Sequence, residues 1–173
     1  MASSTNNVKL GVCTVTFGGT DLGYTKGGVE VEVATETYKV MIDQFGNTPV
    51  KEYITARTCM VRVPLAETTL DNLVEIMPGA TKVGGPEPAA SRVDVTTNVS
   101  ADLKTLAQKL VLHPVSAGAD LNEDFILPLA ATGGALQYAY KLDEERIYNV
   151  EFNAYPDDTA GGLLFQIGDE AAT

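Results

Sequence analysis

The chain has 173 residues, 45% of them hydrophobic, which suits one domain with its own core and excludes a disordered polymer. Its formal net charge is -11, from 12 Lys and Arg against 23 Asp and Glu, so it lacks the clustered basic surface that grips a phosphate backbone. No apolar run approaches the roughly 20 residues a membrane helix needs.

The opening Met1–Asn7 is polar, without the basic and apolar regions of a signal peptide, so folding in a cytoplasm is expected. Residues 8–17 are rich in β-branched residues and predict a first strand that ends at Gly18-Gly19. Five glycines between 18 and 28 predict a turn-rich connection. Two long β runs follow, Val29–Asp43 and Val50–Leu65. The turn between them is Gln44, Phe45, Gly46, Asn47, Thr48 and Pro49. At about 3.3 Å per residue each arm extends roughly 50 Å. That is longer than one compact sheet covers, so part of the hairpin should project.

Val29, Val31 and Val33 share one face of the outgoing arm and Glu30, Glu32 and Glu36 the other. On the return arm Cys59, Val61 and Val63 alternate with Thr58, Met60 and Arg62. Tyr38, Val40 and Ile42 then take the parity that was acidic, which predicts a bulge near Thr37-Tyr38. In that register Val31 faces Val63, Val33 faces Val61 and Glu32 faces Arg62. The acidic stripe reads either as a solvated strand face or as the wall of an acidic channel.

Leu70, Leu73, Val74 and Met77 form a helical stripe over 67–77, capped by Thr68 or Thr69 and stopped by Pro78-Gly79. Residues 79–90 read as a surface loop, with a short strand near Arg92–Thr96. Ser100 is expected to cap a second helix through Leu103, Leu106, Ala107 and Leu110, which turns into a strand before His113-Pro114. Further strands are expected near 125–130, 135–142, 146–155 and 163–167. Residues 125–173 hold eight acids against two bases, whereas 27–64 are nearly balanced. The fold class is therefore mainly β (α+β): a sandwich or barrel with a long projecting hairpin and one or two flanking helices. The chain reads as a single domain with flexible arms at 1–7 and 168–173.

No nucleophile elbow, phosphate loop or zinc spacing occurs, and Gly27-Gly28 opens a strand where a phosphate site needs a helix. The lone His113 reads as structural. Asp157-Asp158 lacks the spaced ligands of a calcium loop. Cys13 and Cys59 have apolar neighbours and no CxxC partner, so two buried, reduced thiols are expected. The expectation is a self-associating structural protein, not an enzyme, with no cofactor, no metal and no membrane.

Three stretches sharpen this. Phe17–Val31 carries the glycine turn into a Val-Glu-Val strand, Asp43–Pro49 the hairpin turn, and Val63–Leu73 the sequence Val-Pro-Leu-Ala-Glu ahead of the helix. Together with Leu110-Val-Leu-His-Pro, they resemble the major tail tube protein of long-tailed (siphovirus-type) bacteriophages over about residues 8–115. The resemblance implies a β-sandwich subunit that forms hexameric rings stacked into a hollow virion tail tube. It implies tape-measure, tail terminator and tip proteins as further partners, and DNA that passes through the lumen without specific binding. On that reading Glu30, Glu32, Glu36 and Arg62 are lumen candidates, with acids of 143–158 as another source. The tip residues 44–49 would contact a neighbouring subunit. The alternative is a β-sandwich binding module or virion decoration protein, against which the absence of Trp counts as far as a sugar platform is concerned.

Overall fold

The computed structural model describes residue 5 and residues 8–85, 90–97 and 99–172. In chain order the elements are β1 (Cys13–Phe17), β2 (Thr20–Asp21), β3 (Glu30–Val40), β4 (Lys51–Leu65), α1 (Leu70–Ile76), β5 (Ala80–Gly84), β6 (Ser91–Val95), β7 (Gln108–Pro114), β8 (Phe125–Thr132), β9 (Tyr148–Ala154) and β10 (Gln166–Ile167). One antiparallel sheet runs β2-β1-β7-β8-β9-β4-β3, and β10 pairs with β8. The fold is mainly β.

The sheet curls back on itself. After β2, the Lys26 amide donates to the Pro64 carbonyl at 3.0 Å and the Ala66 amide to Tyr24 at 2.8 Å, so the segment following β2 meets the end of β4. Phe17 on β1 and Phe152 on β9 are not sheet neighbours, yet their rings lie 4.8 Å apart across the interior. The core comes from strict alternation: Cys59, Val61, Val63 and Leu65 of β4 and Tyr148, Val150 and Phe152 of β9 are buried together with Val15, Leu110 and Leu127. Each large apolar side chain so buried contributes about 1.5–3 kcal/mol. Against Lys109 of β7, β8 places two residues, Pro128 and Leu129, where the register slips. Proline has no amide for the ladder, and a bulge is where a strand accommodates it.

Several expected elements differ. Residues 8–12 form no strand, because β1 pairs with β7 only as far as Cys13–Pro114 and the chain beyond Pro114 coils into a 3-10 turn at Val115–Ala117. Val8, Leu10 and Val12 are exposed. The expected loop 79–90 contains β5, which forms a separate hairpin with β6; residues 86–89 lie outside the described residues.

The second helix is absent. Ser100 has φ +71°, and Asp102 gathers the Lys104 amide on its side chain and the Thr105 amide on its carbonyl, which makes a turn. Leu110 is instead claimed by the β1–β7 ladder. No strand forms over 135–142. There Arg146 sits 5.4–5.9 Å from the rings of Tyr138, Tyr140 and Tyr148 and donates to the Thr68 hydroxyl at 2.8 and 3.0 Å, which pins the segment as an ordered loop.

The helix is shorter than expected and turned. Thr69 caps it by accepting from the Asn72 amide, and the buried side chains are Asn72 and Ile76, not Leu70 and Met77. The expected C-terminal arm is anchored at its start, where the Gly168 amide donates to Asp124 and Lys109 pairs with Glu170. Residues 1–4, 6 and 7 of the expected N-terminal arm lie outside the described residues.

Candidate functional site

The outstanding feature is the β3–β4 hairpin. β9 pairs with β4 only from Met60 to Leu65, whereas β3 pairs with β4 from Lys51 to Arg62. Residues 51–59 of β4 and their partners in β3 therefore form a two-stranded ribbon beyond the barrel rim, and among the described residues no further strand pairs with either outer edge. β3 is exposed along its length, apart from the half-buried Val40. A two-stranded ribbon alone in water is marginal, and long open edges invite pairing with another chain.

The ribbon carries a bulge between Glu36 and Thr37, one residue from the expected place. Its extra residue is Thr55, on β4 and not on β3. β3 alternates without interruption, so Tyr38 and Val40 stay on the acidic face with Glu30, Glu32 and Glu36. Tyr53 stands directly opposite Tyr38. The register also differs from the expected one by two residues: Val31 faces Val61, Val33 faces Cys59, and Glu30 rather than Glu32 faces Arg62. Period-two geometry preserves the face through a shift of two, so Glu32 and Arg62 still share it.

On that face Arg62 is the hub of a charge cluster. Its Nη1 lies 3.1 Å from Glu32 Oε2 and 3.9 Å from Glu30 Oε2, and its Nε lies 3.5 Å from Glu151 Oε2 on β9. The two proposed sources of acid, the hairpin stripe and the 143–158 segment, thus converge on one patch through Glu151. Glu36 lies farther along the ribbon and makes no ion pair among the described residues. Lys26, on the glycine-rich connection, pairs with Glu145, and that hydrogen bond holds the Glu145 carboxyl below its usual range.

The apolar face of the ribbon is uncovered. Val61 and Cys59 are buried, but their cross-strand partners Val31 and Val33 are 42% and 44% exposed. Farther out on this face Ile54, opposite Thr37, is exposed as well, and toward the tip Met41, Ile42, Phe45 and Val50 are exposed. Residues 44–49 are all exposed. The tip holds its shape through backbone bonds: a 3-10 turn spans Asp43–Phe45, Thr48 donates to Phe45 at 3.2 Å, and Val50 donates to Val40 at 2.9 Å. Gly46 has φ +58°, a conformation glycine adopts without steric cost. Phe45 is 62% exposed at the end of this ordered turn.

Sequence reasoning missed Tyr53 and Ile54 as members of the surface, and named Glu151 only within the wider 143–158 source. Tyr38 and Tyr53 straddle the predicted turn, a spacing that could have paired them.

Elsewhere, both cysteines are free; Cys59 is buried and Cys13 half-buried, and burial pushes both thiols up. No group of three or more His, Cys, Asp or Glu side chains among the described residues is arranged to hold a metal ion. No helix among the described residues is long and apolar enough to cross a membrane. Comparison with protein-family models and with curated proteins found no match to the chain.

Proposed function

We propose that the chain is a non-enzymatic structural subunit that polymerises through its hairpin, in the manner of the phage tail tube proteins its sequence resembles. The observation that carries this reading is the ribbon itself. It combines an exposed apolar face with two outer edges that pair with no further strand among the described residues, and a monomer leaves both in water.

Ring closure of identical subunits removes open edges, and head-to-tail stacking of rings gives a tube. In this reading the tip around Phe45 docks on a neighbouring subunit. The face with Glu30, Glu32, Glu36, Arg62 and Glu151 lines the lumen of a virion tail, where carboxylates discourage adhesion of phosphates as DNA passes. Hexameric rings, a tape-measure protein inside the tube, and terminator and tip proteins at its ends belong to the same proposal.

Light scattering and negative-stain microscopy of the purified protein test it across concentration and salt. Rings and tubes with sixfold end views are expected. A protein that stays strictly monomeric at high concentration in every salt would overturn the reading in favour of a β-sandwich binding module or virion decoration protein.

A further inference from the structure

The only histidine in the sequence sits where β7, the loop before β8 and the N-terminal segment meet. His113 Nδ1 lies 2.6 Å from Asp124 Oδ1, and Nε2 lies 2.9 Å from the Gly118 carbonyl oxygen. Both partners are acceptors. A neutral imidazole offers one N–H and one lone pair, so either tautomer sets a lone pair against an oxygen at one of the two contacts. Satisfying both requires two hydrogens. An imidazolium beside a carboxylate supplies them, and so does a neutral ring beside a carboxylic acid. Each arrangement holds one proton more than a neutral ring beside a carboxylate. The Asp124 side chain is 7% exposed, so water is a poor substitute for a bond lost there.

The clamp has dependents. The loop it closes accepts the N-terminal segment through the Val115 amide, which donates to Val12 at 2.9 Å, and through Lys9 Nζ, 2.7 Å from Glu123 Oε1. On the other side the Asp124 carbonyl accepts from Gly168 at 2.8 Å. The charged and titratable groups on the elements packed about the ring are Asp120, Glu123 and Asp124 on the loop, Lys9 ahead of it, and Lys109, Asp169 and Glu170 along the groove beyond Asp124, whereas Cys13 of β1 pairs with Pro114 and so takes the other face of the strand. Asp124 alone among them makes a hydrogen bond or ion pair with the ring.

We propose that His113 is a proton-operated latch: the doubly protonated clamp ties residues 115–124 to β7 and keeps Val8–Val12 in place, and loss of its proton frees both. The sign follows from the direction of the shift. Hydrogen bonds first to Asp124 and then to Gly118 raise the His113 pKa above the ordinary imidazole value of about 6.5. The stabilisation is therefore full below that ordinary value and is lost as pH rises through the folded one. Opening uncovers no core strand. It releases the exposed apolar stripe Val8, Leu10 and Val12 from its tether.

With one imidazole in the chain, the ring resonances in proton NMR report on His113 alone. The expected result is a titration midpoint above the ordinary value. Amide exchange at 115–124 and at 9–12, corrected for its intrinsic pH dependence, should rise by about tenfold or more through the same midpoint, while β4 and β9 stay protected. Asp124→Asn should lower the midpoint and leave the loop unprotected at neutral pH. Should that variant fail to fold, the titration of the unaltered protein still decides. A midpoint at or below the ordinary value, or loop protection unchanged through it, overturns the proposal.

Discussion

Asn72 is the residue whose burial is hardest to read from sequence. Its Nδ2 donates to the carbonyls of Leu22 and Glu67, both at 2.9 Å, which joins the glycine-rich connection to the start of α1. Asn72→Ala leaves those carbonyls without their donor, and the expected cost is about 2–3 kcal/mol, read as a lower midpoint in urea denaturation. A change under half of that would show that water takes over the donor role. The apolar stripe Leu70, Leu73, Val74 and Met77 pointed to a neighbouring face because hydrophobic periodicity assigns no inward role to an amide. Seven residues give too few turns to correct the angle.

Phe45 is the opposite case, legible because an aromatic in a Gly-Asn-Thr-Pro turn has little intramolecular reason to be there. Phe45→Asp should change monomer stability by less than about 0.5 kcal/mol yet abolish polymers in negative stain. An unfolded variant would place Phe45 in the core and sink the docking role of the tip.

Among the elements, the hairpin was the most legible, since two long alternating runs around one turn leave few other pairings. Its bulge was legible only in part. The parity change at Tyr38 implies an extra residue on β3, yet β3 alternates without interruption and keeps Tyr38 and Val40 on the acidic face. The extra residue is Thr55, on β4. Elements that depend on a distant partner were the ones misread. The 100–110 stripe fits a helix locally, yet β1 and β8 both pair with β7 and draw Leu110 into a ladder. The 135–142 run has strand-like residues but meets Arg146 and its tyrosines instead of a strand edge.

The bulge itself yields an element-scale prediction. Deleting Thr55 leaves Glu36 opposite Ala56 and Thr37 opposite Ile54, so pairing and faces persist while the local twist that aims the tip is lost. The variant should therefore fold with far-ultraviolet circular dichroism like that of the unaltered protein, because the core begins at Cys59. Its assembly, followed by light scattering, should fall at least as steeply as that of Phe45→Asp. Normal polymerisation without Thr55 would mean that the tip's direction is unimportant.

At the scale of the whole molecule, the balance of charge becomes a condition on assembly. A net charge of -11 repels a second copy, and Arg62 is placed where it compensates Glu30, Glu32 and Glu151 together. All four side chains are about half-exposed or more, so the cluster adds little to monomer stability, on the order of 0–1 kcal/mol. In the proposed ring the same cluster repeats in every subunit, and on that proposal the carboxylates left by an Arg62 substitution face one another around the lumen. Arg62→Gln should therefore leave the denaturation midpoint nearly unchanged but weaken assembly at low ionic strength. Added salt should restore it, since the screening length falls from about 10 Å at 0.1 M to about 3 Å at 1 M. Glu32→Lys should act in the other direction on cargo: tubes form, but DNA adheres to their inner wall and genome delivery slows. Sedimentation of Arg62→Gln across a salt series decides the first point. If it assembles like the unaltered protein at every ionic strength, the acidic face lies away from any repeating axis, and the proposed lumen role of Glu30, Glu32 and Glu151 fails.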